Sequence, residues 1–138
     1  MIINRIVSSV ILLILDGLWL KFYMGNKYKN KIFQIQNSKM SVRPVFAVIA
    51  YTLMVIGLNL FVIPNIRPSH KLYDSIKYGF LFGIVVYGIY DMTCATIFKD
   101  WDIKLALVDI LWGGLVYFIS AYVGSFFHNT NLNIKIHN

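Results

Sequence analysis

Four runs of about twenty mostly apolar residues, at 2–24, 42–64, 73–98 and 105–127, occupy most of the chain, and a run of that length is what a helix needs to cross a bilayer. A lipid environment leaves no water to satisfy the backbone, so each run has to close its own hydrogen bonds as a helix. The expectation is an all-α integral membrane protein, a single bundle of four transmembrane helices over residues 1–138. The longest piece outside the spans is the connection at 25–41. No room remains for a soluble domain, so function has to reside in or on the membrane. The 58% hydrophobic and 14% charged composition agrees. A signal peptide is not expected in the first run, because no small-residue cleavage site follows it and Asp16 interrupts its apolar core.

Several chemistries are excluded by what the motifs lack. Neither HExxH, CxxC, GxSxG nor a phosphate-cradling glycine loop occurs. His70, His128 and His137 lie outside the spans without metal-ligand spacing, and the single Cys94 has no partner for a disulfide. Neither a metal nor another cofactor is expected. The net charge of +7 sits at helix ends and does not form a nucleic-acid face, so nucleic acid is not an expected partner.

Charge placement sets the expected topology. The first connection carries Lys21, Lys27, Lys29, Lys31, Lys39 and Arg43 with no acidic residue, which marks it as cytoplasmic. Both termini are then expected on the non-cytoplasmic side. The cytoplasmic count, with Lys99 and Lys104, is eight basic residues against five outside: Arg5, Arg67, Lys71, Lys77 and Lys135. Within the first connection Tyr28, Ile32 and Ile35 share a helical side and could rest on lipid headgroups.

All six acidic residues are aspartates, and Asp16, Asp91 and Asp109 lie inside the apolar runs. Each costs about 2.5 to 3.5 kcal/mol at a helix centre on the insertion scale. Twelve Leu, Ile, Val and Phe residues in the fourth run, at about 0.3 to 0.6 kcal/mol each, still carry Asp109 into the bilayer. The three carboxyls share a depth. Asp16 is five residues before Lys21, Asp91 eight before Lys99 and Asp109 five after Lys104, which puts all three in one leaflet, roughly 7 to 12 Å below the lysine-marked face.

Each aspartate also lies on a helical stripe. In the first run the stripe is Ser9, Leu12, Asp16, Trp19 and Tyr23; in the third it is Gly79, Gly83, Tyr87, Tyr90, Asp91 and Cys94; in the fourth it is Asp109, Trp112, Gly113, Val116, Ser120 and Gly124. These stripes are expected to converge on an acidic, aromatic pocket, with the second helix as the more lipid-facing member and its Asn59 as an interhelical hydrogen bond. "LDGLWL" (15–20) and "VDILWG" (108–113) share D-x-x-W. The two helices run in opposite directions, so the shared pattern reflects a common physical need, an indole N–H that donates to a carboxylate.

"LDGLWL", "GIYDMTCAT", Trp101 and "LVDILWGG" together resemble the pattern of the small membrane proteins grouped as domain of unknown function 2177. The resemblance spans the chain from the first helix to the fourth. It implies matching positions at Asp16, Trp19, Tyr90, Asp91, Thr93, Trp101, Asp109, Trp112 and Gly113, with Cys94 where the family pattern usually has asparagine. It also implies a connection to lipid chemistry, because bacterial members are often encoded near lipid-modifying methyltransferase-like proteins.

The candidate pocket or proton- and ion-binding residues are therefore Asp16, Trp19, Tyr87, Tyr90, Asp91, Thr93, Cys94, Asp109 and Trp112. Three functions are compatible with them. Clustered carboxyls could exchange a proton for a cation in a transporter, which in a chain this small requires a homo-oligomer and a polar route onward through Ser9, Asn59 and Ser120. The pocket could bind membrane lipid, or place a carboxyl as general acid or base in an accessory or lipid-modifying role, which requires a side opening. Or the aspartates could be a polar clasp, in which every carboxyl oxygen has a protein partner.

Overall fold

The computed structural model describes residues 1–128 and contains four long helices: α1 (Ile2–Gln36), α2 (Pro44–Asn65), α3 (Lys71–Ile97) and α4 (Ile103–Ser125). All four are long and apolar enough to cross a membrane, and no strand occurs among the described residues. Lys135 and His137 lie outside the described residues.

Helix boundaries follow local chemistry. Asn37 adopts a left-handed conformation (φ 53°) and ends α1 with its N–H on the Phe33 carbonyl, a conformation asparagine tolerates better than most residues. Pro44 opens α2, where its missing N–H costs nothing. Asp102 caps α4 by accepting from the backbone N–H groups of Lys104 and Leu105 at 3.0 and 3.1 Å. In the first turn of α3, the Asp74 carboxylate accepts from the backbone N–H and the guanidinium of Arg67, which precedes the helix, at 2.8 to 2.9 Å. Asp74 is fully buried, and this bidentate pair pins the α2–α3 connection.

α1 departs from expectation. The connection at 25–41 is not a loop: the helix continues through Gly25–Gln36, after a π-helical turn at Leu20–Met24. A Cβ at Gly25 would collide with the Leu20 carbonyl oxygen, so this wide turn depends on a glycine five residues on.

α4 is the centre of the bundle. Ten of its residues are buried, with α1 on one side and α3 on the other. α3 and α4 approach closely where Gly83 faces Gly113 and Gly114; a Cβ on Gly83 would land on the Gly113 carbonyl, and one on Gly113 would land on the Tyr87 ring. Small residues at a crossing let two helix backbones gain dispersion contact that larger side chains would block. α2 joins only by its C-terminal half. Gly57, Leu58, Val62 and Ile63 are buried, whereas no residue from Pro44 to Ile56 is.

Candidate functional site

The D-x-x-W pairs of α1 and α4 bond reciprocally. Trp19 Nε1 donates to Asp109 Oδ1 at 2.9 Å, and Trp112 Nε1 donates to Asp16 Oδ1 at 3.3 Å. Because the helices are antiparallel, the tryptophan of each pair lies level with the aspartate of the other, so the same spacing satisfies both. The two indoles stack with centroids 4.5 Å apart and planes 8° from parallel, and Tyr23 stacks on Trp19 at 4.4 Å. Lys27 stands 3.8 Å from the centroid of the Tyr23 ring, which ends the ladder with a cation on an aromatic face.

Two tyrosines complete the polar contacts. Tyr87 of α3 donates its hydroxyl to Asp16 Oδ1. Tyr28, in the continuation of α1, donates to Asp109 Oδ2 at 2.8 Å. Trp19 and Tyr28 thus hold the two oxygens of one carboxylate from positions nine residues apart, about 13.5 Å along a straight helix, with the wide turn between them. Asp16 and Asp109 are each 5% exposed.

Asp91 differs from both. It is fully buried in α3, and neither of its oxygens accepts a hydrogen bond. Its carboxyl lies against that of Asp109 and near the Trp101 indole, whose Nε1 is also buried without a partner. A buried polar group with no partner costs about 1 to 3 kcal/mol, more if charged, so this corner of the bundle is not optimised for stability.

The expected site residues separate into groups. Asp16, Trp19, Tyr87, Asp91, Asp109 and Trp112 come together. Tyr90 is half exposed and sets its ring edge-on to Trp101 at 6.3 Å, while Cys94 is a partly buried free thiol beside it. Thr93 stands on the exposed side of α3. On a helix it is about 200° around from Asp91, so it cannot share that residue's face. Trp101, a position the family resemblance singles out, is 7% exposed among Tyr28, Tyr90 and Phe98, where the turn bond from its N–H to the Phe98 carbonyl folds the connection inward. Tyr28 and Tyr51 were not anticipated as site residues. The signal for Tyr28 was the absence of any proline between 25 and 36, which permits a continuous helix.

Between the unpacked half of α2, the end of α1 and the face of α3 lies an open cleft of about 1210 Å³. Its inner wall includes Asp16, Asp109, Tyr87 and Tyr90; Tyr51 faces them from α2, near Asp16. Lys21 and Lys29, both exposed, stand at its mouth. Below the carboxyls the bundle is closed by Leu12, Leu58, Val62, Val116, Tyr117 and Ala121, all fully buried.

The model of a family described as a predicted membrane protein (DUF2177) matches residues 1–126. The chain belongs to that family. It is a multi-pass integral membrane protein with the four-helix, all-α architecture that the DUF2177 resemblance implied. No match is found among curated proteins or among solved structures. Among the described residues no group of three or more histidine, cysteine or carboxylate side chains is arranged to hold a metal ion.

Proposed function

We propose that this DUF2177 protein binds a membrane lipid, taken laterally from the leaflet into the cleft beside α2. The observation that carries the reading is the cleft itself: large enough for part of a lipid, mostly apolar, and lined at its polar end by two buried carboxylates and by five tyrosines, Tyr28, Tyr51, Tyr87, Tyr90 and Tyr117. Lipid-sized sites are expected to join apolar walls to a few convergent polar groups. By the positive-inside rule the lysine-rich mouth faces the cytoplasm, so the lipid comes from the cytoplasmic leaflet and both termini lie on the opposite side.

What favours lipid binding over conduction is the far half of the bundle. Ser9 donates to the Arg5 carbonyl, Asn59 donates to Ser9, and Ser120 donates to the Val116 carbonyl, so the side chains that would form a polar route turn onto neighbouring groups. The apolar layer beneath the carboxyls supports the same choice. The clasp has a place within this reading. Trp19, Trp112, Asp16 and Asp109 hold α1 against α4 and thereby fix the inner wall of the cleft.

Native mass spectrometry tests the proposal by weighing lipid retained through purification. Wild type is expected to carry a lipid adduct that Ala50→Trp, which fills the cleft from α2, loses while remaining folded. Equal retention by both proteins would count against the cleft as the binding site.

A further inference from the structure

The charge pattern of the cleft narrows the kind of lipid it takes. Asp16, Asp91 and Asp109 are all buried in one leaflet, and none of them pairs with a lysine or arginine among the described residues; the ion pair found there, Arg67–Asp74, belongs to the α2–α3 connection. Taking carboxylates out of water without a counter-charge is expensive. Asp16 and Asp109 form part of the cleft wall, and Asp91, fully buried against Asp109 and not itself part of that wall, adds a third carboxyl with no cation beside it. The deep end of the cleft therefore carries carboxylates without a counter-charge.

The mouth has the opposite character. Lys21 lies five residues, about 7.5 Å of helix, beyond Asp16, and Lys29 lies beyond that on the same continuous helix, with Asn26 between them on the cleft wall. These groups donate, and neither lysine is ion-paired with the carboxylates below, which accept from the neutral donors Trp19, Tyr28, Tyr87 and Trp112. A ligand complementary to both ends carries an anion at the mouth and a cation close to it that reaches the carboxylates.

We propose that the occupant is an aminophospholipid, with its phosphate between Lys21 and Lys29 and its primary ammonium directed to Asp16 and Asp109. This rests on the reading of the cleft as a lipid site. A primary ammonium supplies three N–H donors to the surplus carboxylate acceptors, which a quaternary ammonium cannot do. The headgroup stays tethered to acyl chains that lie along the apolar wall formed by Ala47, Ala50, Leu53 and Met54 of α2.

The test is thermal stability of the purified protein in detergent with phosphatidylethanolamine, phosphatidylcholine or phosphatidylglycerol of identical chains, and with soluble phosphoethanolamine. Phosphatidylethanolamine at saturating concentration is expected to raise Tm by about 3 °C or more, and the other additions by less than half as much. Asp16→Asn is expected to halve the margin of phosphatidylethanolamine over the other lipids, and Lys21→Gln, at the exposed mouth, to halve the shift with every phosphate-bearing lipid; Lys21→Gln removes no packed group and keeps the test valid if Asp16→Asn folds poorly. An equal or larger shift with phosphatidylcholine or phosphatidylglycerol overturns the assignment of an amine and leaves the cleft reading standing. An equal shift with soluble phosphoethanolamine overturns the lipid as its source. No shift with any lipid, together with unchanged lipid retention in Ala50→Trp, overturns the cleft reading itself.

Discussion

Trp19 and Trp112 lie face to face, 4.5 Å apart, and each donates its indole N–H to the aspartate that lies one turn from the other, Asp109 and Asp16 respectively. The arrangement follows from antiparallel packing of two D-x-x-W segments. Intramembrane hydrogen bonds average about 0.6 kcal/mol and reach about 1.7 kcal/mol. A double-mutant cycle of Trp19→Phe with Asp109→Asn should report coupling within that range. The 3.3 Å bond of Trp112 to Asp16 should give a smaller value in the matching cycle, and equal couplings would show that stacking, not hydrogen bonding, dominates the pair.

Asp91→Asn should leave Tm unchanged or raise it, since the carboxyl has no donor to lose. Asp109→Asn replaces an acceptor of two hydrogen bonds with an amide that can accept only from one side, and should destabilise by about 1 kcal/mol. Differential scanning of the two variants in one detergent at neutral pH compares them directly. Equal destabilisation would mean that Asp91 has a structural partner in the membrane.

The wide turn at Leu20–Met24 requires Gly25, so Gly25→Ala should force that turn to rearrange and withdraw Tyr28 from Asp109. Its effect on stability should match or exceed that of Tyr28→Phe, which removes the hydroxyl alone at a cost of about 0.5 to 1.5 kcal/mol. A result in which Gly25→Ala is neutral and Tyr28→Phe is not would separate the turn from the contact.

Close approach of α3 and α4 predicts a contrast between glycines. Gly83→Val should lower Tm by several degrees or prevent folding, because its side chain meets the Gly113 backbone. Gly88→Ala meets nothing within 4 Å and should stabilise by about 0.5 to 1 kcal/mol through helix propensity.

Arg67 titrates above its ordinary range, first because its guanidinium hydrogen-bonds to Asp74 and second because of the carboxylate charge. A group whose folded pKa is raised contributes stability below its unfolded pKa and loses it only as pH climbs through the folded value. For an arginine that window lies above the working range, so Arg67→Gln should lower Tm by the same amount from about pH 6 to about pH 9. A cost that fades toward the alkaline end would contradict this.

Legibility in the sequence tracks how regular the helices are. Asp16, Trp19, Asp109 and Trp112 were readable because helical periodicity and membrane depth both place them, and Gly83 and Gly113 because small residues on a polar stripe mark a crossing. Tyr28 was obscured by Gly25, which reads as a break and instead permits a wide turn inside one helix. Tyr51 was obscured because α2 is apolar on all sides, so periodicity could not say which half packs and which half leaves a cleft. Thr93 came from resemblance alone, and its position around the helix from Asp91 explains why it lies outside the cluster. Trp101 turned inward through a backbone turn that no side-chain pattern announces.

The most direct measurement is photo-crosslinking in native membranes with benzoylphenylalanine replacing Tyr51 in the cleft, compared with the same probe replacing the exposed Phe61 on α2. Mass analysis of the adducts should show one lipid class enriched at position 51, while position 61 returns the composition of the bulk membrane. Identical adducts at the two positions would mean that the cleft selects nothing, and would contradict lipid binding as the role of this site.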